Sequence, residues 1–414
     1  MNPLLKGVPR NARLLIGARA ARSVGQGALV VDFALYLHAL HWSALNIGVL
    51  YSVSLLVGAL ATLLVGPLSD HFGAKGFLLG YEGVQLVAAS IALSTAQPDW
   101  LALAAILGAF GRGANGGAGP FAPAEQSWMS RSVASEQWGK IFHFNTSIGL
   151  FGMAGGATLA TLPGILAGVL PGAEAYRPLF LIALLGSLIC LLFLHAAEES
   201  PVDAASAEQS EQVQTAPPAV RKPIWRVLLT FGTINALNSL GIGMVGPLMA
   251  YWFHLRFGVG PAAIGGAMAL AFVSAAFMSL IGLRLTRRFG LVGTVLRMRL
   301  LGLVLLLVLP FSPFFWLAML IFIARGALNQ GSIGSRQALF LSLVEKDKRG
   351  LAATVNSLSI QAPRAIGPSI AALFFEAEML VAPFLIAGAL QGAYLVFFQR
   401  FFSSREVRKT PHVQ

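Results

Sequence analysis

The stretch GPLSDHFGAK, from Gly66 to Lys75, lies between two long apolar runs and decides how the rest of the chain is read. Gly66, Asp70, Gly73 and Lys75 give the spacing G-x-x-x-D-x-x-G-x-K. Gly73 is free to take a positive φ, so one membrane helix can turn tightly into the next. Asp70 is placed to cap the helix that follows, and Lys75 to stay on the charged side of a bilayer. An echo comes about half a chain later: Gly282 stands 216 residues after Gly66, followed by TRRFG from Thr286 to Gly290.

Working outward from these two loops, the halves repeat in order. RSVGQG, Arg22 to Gly27, returns as NSLGIG, Asn238 to Gly243, and His38 returns as His254. Arg112-Gly113-Ala114 returns as Arg325-Gly326-Ala327. Gly139 with Asn145 returns as Gly350 with Asn356. Self-similarity at this period marks two parallel structural repeats.

Mean hydropathy of +0.73 and 11% charged residues over 414 positions describe a polytopic helical membrane protein. Twelve apolar runs have the length needed to span a bilayer: 15–40, 44–67, 76–96, 100–126, 141–165, 176–196, 226–254, 261–283, 291–312, 314–341, 350–376 and 380–402. None shows the period-two alternation of a barrel strand. The polar, then Pro-rich run 199–223 reads as a linker between a bundle at 1–198 and a bundle at 224–402, with a tail at 403–414. The first residues show no cleavable signal peptide. Cys190 is the single cysteine, so no internal disulfide forms.

A net charge of +12 invites a nucleic-acid partner, but the placement of the charges argues against one. All but five of the Lys and Arg are read at the ends and loops of one side. Arg177 and Arg256 are read outside, and Arg112, Arg325 and Arg364 within helices. This asymmetry puts both termini in the cytoplasm, with the chain in the cell inner (plasma) membrane.

The loop motif, its echo and the two six-span halves resemble the major facilitator superfamily, and in particular bacterial proton-coupled, efflux-type permeases. His71 and Ala74 depart from the basic residues usual in that loop. The resemblance implies an all-α membrane protein of twelve transmembrane helices in two pseudo-symmetric six-helix bundles. It implies a monomeric secondary transporter that moves a small organic solute by alternating access, with protons and the lipid bilayer as its other partners. No cofactor, metal or catalytic residue is expected, and no Walker loop, metal-ligand cluster or nucleophile elbow is present. Gly66, Asp70 and Gly73 take the gating role, with Asp70 holding one state closed on the cytoplasmic side. Spans 1, 4, 7 and 10 are expected to line a central cavity, and spans 3, 6, 9 and 12 to face lipid. Span nine is accordingly almost featureless. Span three departs, with Glu82 and Gln85, for which a contact with the first loop or a shifted span boundary would account.

Asp32 lies in GALVVDFALYL, near the middle of span one, and Leu248 stands at its repeat position. A carboxylate at that depth needs a partner or a wet cavity, which makes it the candidate proton carrier. The alternative is a permanent ion pair with Arg22 or Arg112. Arg112 with Gly116 resembles the R-x-x-x-G motif of proton-coupled relatives, which links it to proton transfer or substrate. Its repeat Arg325 leaves a structural role for both open. Arg325, Asn329, Ser332 and Arg336 follow at i, i+4, i+7 and i+11, a polar stripe on one helical face. Arg364 has no repeat partner and is a substrate candidate, the alternative being a side chain snorkelling to the cytoplasmic surface. Asn238 completes the substrate set, and arginines outnumber Asp32, so an organic anion or zwitterion is the expected cargo. GPSIAA, Gly367 to Ala372, faintly resembles an antiporter motif and favours export over uptake. A non-transporting receptor and a lipid flippase are the competing classes.

Overall fold

The computed structural model describes residues 8–111, 121–133, 138–199, 224–342 and 349–406. Arg112 and all but the first residue of the linker lie outside them. Every described element is helical, and the order follows the twelve spans. The first three are single helices, Arg10–Ala39, Ala44–Phe72 and Ala74–Ser94. The fifth is Trp138–Leu159, followed by the short helix Leu162–Leu166, and the sixth is Arg177–Ala196. Spans eight, nine, eleven and twelve are Pro261–Phe289, Leu291–Val308, Arg349–Glu376 and Ala382–Glu406.

Three spans are divided, for local reasons. The fourth runs as Pro98–Gly108 and Phe121–Arg131, and its first piece ends where Ala109 and Gly111 take φ of 52° and 70°. The seventh runs as Ile224–Val245 and Met249–Phe257. Pro247 sits in the gap and has no N–H to continue the ladder. The tenth breaks between Phe315–Gly331 and Ile333–Ser342, where Ser332 turns its hydroxyl back onto the Asn329 carbonyl at 2.8 Å.

The repeat is visible in the backbone. Gly73 and Gly290 open the third and ninth spans with φ of 87° and 71°. In each half one helix crossing is made without side chains. A Cβ on Gly27 would strike the Met153 carbonyl, and one on Gly156 the Val24 carbonyl. The repeat-related Gly243 and Gly367 meet in the same way, with Gly243 against the carbonyl of Arg364. Pro368 removes the N–H that this carbonyl would otherwise accept within the eleventh span, so the oxygen is free to receive the close approach.

The halves pack span two on span eleven and span five on span eight. Ser369 donates to Ser52 Oγ at 2.7 Å, and Phe151 meets Phe277 edge to face at 5.7 Å. At the end of the bundle opposite Gly73, the rings of His38 and His254 meet edge to face at 5.4 Å and the Tyr251 hydroxyl stands 3.4 Å from His38 Nδ1. The two halves are therefore in contact at that end.

The loop that begins this reading is capped differently from the expectation. Asp70 lies inside the second span, and its side chain falls outside the described atoms. Gly73 is the capping residue of the third span and offers no side chain. The free N–H groups of Ala74 and Lys75 instead donate to the Glu199 carboxylate at 2.7 and 2.8 Å, and Arg131 Nη2 binds the same group at 2.7 Å. Lys75 Nζ donates to the carbonyls of His195 and Ala197. A carboxylate on a helix N-terminus meets both the unpaired donors and the helix dipole. Glu199→Ala is expected to lower stability by about 1–2 kcal/mol. Thermal melting of the purified protein measures it, and an unshifted melting temperature would show that the turn at Gly73 suffices.

Candidate functional site

Four charges in the first half neutralise one another. Arg22 Nη1 lies 3.6 Å from Glu82 Oε1, with its guanidinium 3.8 Å above the Phe121 ring. Arg19 Nη1 meets Glu125 Oε2 at 3.1 Å, and Asn145 donates to the other oxygen of Glu125 at 2.9 Å. Arg19, Arg22, Glu82, Glu125 and Asn145 are all buried. Arg19 and Arg22, read from sequence as charges at a helix end, are thus interior groups. Glu82 is explained by this pairing with the first span; the expected contact with the first loop is not what holds it. Gln85, its neighbour in the puzzle, donates to the Leu107 carbonyl at 3.3 Å.

Asp32 is fully buried, and neither of its oxygens has a hydrogen-bond partner among the described residues. Arg22, one of the two arginines that could have paired with it permanently, is held by Glu82. Arg112, the other, lies outside the described residues. The phenols of Tyr51 and Tyr176 are within electrostatic reach of the Asp32 carboxyl.

In the second half the balance is absent. Arg299, Arg325, Arg336 and Arg364 line one cavity together with Asn329 and Gln330. Its empty space amounts to about 890 Å³, counting the part open to solvent. The remaining wall is apolar and includes Phe272 and Phe322, with Leu150 the one lining residue contributed by the first half. Among the described residues, no Asp or Glu lines it. Arg299 and Arg325 are 5% and 6% exposed. Arg299 Nε donates to Ser332 Oγ at 3.0 Å. Beyond that, Arg299 Nη1, Arg325 Nε, Arg336 Nη1 and Arg364 Nε are buried with no hydrogen-bond partner among the described residues. None of the four has an ion-pair partner there, and Arg336, Arg325 and Arg364 all repel Arg299.

Sequence reading named Arg325, Asn329, Arg336 and Arg364, and the fold brings these together. Asn238 does not line the cavity; it is buried elsewhere in the second half, with neither amide atom hydrogen-bonded among the described residues. Arg299 escaped notice because the ninth span looked featureless. The signal that finds it is the repeat: Glu82 and Arg299 each stand eight residues beyond the first residue of spans three and nine, Ala74 and Leu291.

A family model described as Major Facilitator Superfamily matches residues 15–237 and again 231–413. The chain belongs to the Major Facilitator Superfamily. It is accordingly a multi-pass membrane protein built for solute transport. Solved structures of the same fold include the nucleoside transporter NupG (TM-score 0.67, 14% identity, 95% of this chain and 99% of that one). A D-xylose-proton symporter aligns at TM-score 0.68 and 13% identity, over 94% of this chain and 97% of its own. The human organic anion transporter MFSD10 aligns at 0.64 and 15%, over 96% and 100%. At these identities the likeness is one of fold. No curated protein sequence matches the chain. Within this superfamily fold, the arginine cavity sits among spans seven to eleven of the second half.

Proposed function

We propose that this chain is a secondary active transporter for a small organic anion, working by rocking-type alternating access in the cell inner membrane with both termini cytoplasmic. The observation that carries the reading is the cavity of four arginines with no acid among the described residues of its wall. Buried guanidinium groups without counter-charges are costly in a bilayer, and an anionic solute relieves that cost. Contact between the halves at the His38 end supports a state open toward the Gly73 end, which we read as the cytoplasmic face. Asp32 is the proposed proton carrier, and the efflux-type resemblance of the sequence supports export.

Proteoliposomes given labelled organic anions or cationic dyes, with and without an imposed pH gradient, test the reading. Gradient-dependent movement of anions is expected, and the sign of accumulation gives the direction. Movement of cationic dyes with no anion transported would overturn it. Arg364 provides a sharper check. A guanidinium fork binds a carboxylate or phosphate through two parallel bonds, which an ammonium does not reproduce. Arg364→Lys and Arg364→Ala are both expected to weaken binding of a transported anion by about tenfold or more. Equal affinity in all three proteins would place Arg364 outside the site.

A further inference from the structure

The repeat relates the two polar centres residue by residue. Arg19, Arg22, Glu82, Glu125 and Asn145 of the first half fall on Asn235, Asn238, Arg299, Arg336 and Asn356 of the second. Gln126 and Gln337, beside Glu125 and Arg336, fix the register in the fourth and tenth spans, as Asn145 and Asn356 do in the fifth and eleventh. Asn235 donates to Asn356 at 3.0 Å, so the two centres keep comparable helix contacts. What differs is charge. The first half places two arginines against two glutamates. The second replaces both arginines by asparagines and both glutamates by arginines. Five equivalent positions that sum to zero in one half sum to two positive charges in the other.

We infer that the cavity takes an organic dianion, whose two anionic groups stand in the second half for the negative charges that Glu82 and Glu125 supply in the first. This rests on the proposed anion transport and narrows its substrate class. Arg325 and Arg364 add two more guanidinium groups to the same wall, so each anionic group has two arginines available to grip it. The rest of the wall, Ile242, Met268, Phe272, Phe322 and Ile333, covers the apolar body that joins the two groups. The chemistry is that of a dicarboxylate or a phosphomonoester on a compact hydrocarbon frame.

Equilibrium binding to the full chain in nanodiscs separates the possibilities with three probes on one ring: benzoate, phthalate and phenyl phosphate. Phthalate and phenyl phosphate are expected to bind at least about tenfold more tightly than benzoate. Arg299→Gln and Arg336→Gln should each cut that preference severalfold. Both should melt at or above the wild-type temperature without ligand, because Arg299 is a buried and Arg336 a half-buried charge with no counter-charge among the described residues. Benzoate binding as tightly as phthalate and phenyl phosphate would overturn the dianion while leaving an anion site. A dianion preference untouched by both substitutions would also overturn it. Failure of all three probes to bind would overturn the anion reading together with this inference.

Discussion

Asp32→Asn is expected to abolish accumulation of solute against a gradient while leaving solute binding and downhill exchange in place. The carboxyl is fully buried in the first span, with neither oxygen hydrogen-bonded among the described residues. A site of that kind holds a carboxyl only with a proton or a cation beside it. Arg22 is unavailable, since Glu82 holds it at 3.6 Å. A carrier can therefore load and unload a proton here as the surroundings of the carboxyl change between states. Each tenfold change in proton affinity asks for only about 1.4 kcal/mol of differential interaction, which a small movement of a charge or of water supplies. Asparagine imitates the proton-bound group in every state and removes the cycle. Gradient-driven uptake and solute-linked proton flux, measured in liposomes on wild type and Asp32→Asn, decide the matter. A variant that still concentrates solute on a pH gradient would remove Asp32 from the coupling step.

Glu82→Gln is expected to be strongly destabilising, by about 3–5 kcal/mol, because it leaves Arg22 buried without the carboxylate it is paired with. Phe121 beneath the guanidinium offsets part of the loss through its ring face. Adding Arg22→Gln to the same protein should recover most of the stability, since a buried ion pair replaced on both sides costs far less than one broken on one side. Denaturant or thermal melting of the two single variants and the double variant gives the coupling between them. A Glu82→Gln protein as stable as wild type would mean that Arg22 is satisfied without Glu82.

Much of this arrangement was legible because the chain is written twice. Apolar runs located the spans, offsets between motifs paired the halves, and Gly73 and Gly290 announced the turns by residue type. The helical stripe from Arg325 to Arg336 was readable from spacing, although the helix breaks at Ser332 along the way. Arg299 was hidden by its surroundings: the second arginine of RMR, just before LLGLVLLLVL, looks like a flanking charge. Only its equivalence to Glu82 marks it as interior. The capping of the third span by Glu199 had no local signature, since the carboxylate comes from more than a hundred residues away. Glu82 was visible as an anomaly but not as a partner, because pairing between distant helices leaves no trace in periodicity.

The backbone crossing at Gly243 bears on how an anion gets out. Arg364 offers its own carbonyl to that glycine, so the segment that carries its guanidinium is fastened to the seventh span by main-chain contact. The backbone of Arg364 therefore stays close to the seventh span while the crossing holds. Unbinding then falls to water. Once the cavity opens, hydration and dissolved salt must weaken the grip of arginines that stay where they are. The exit rate would consequently rise with ionic strength, because dissolved ions screen guanidinium groups whose backbone stays tied to the seventh span.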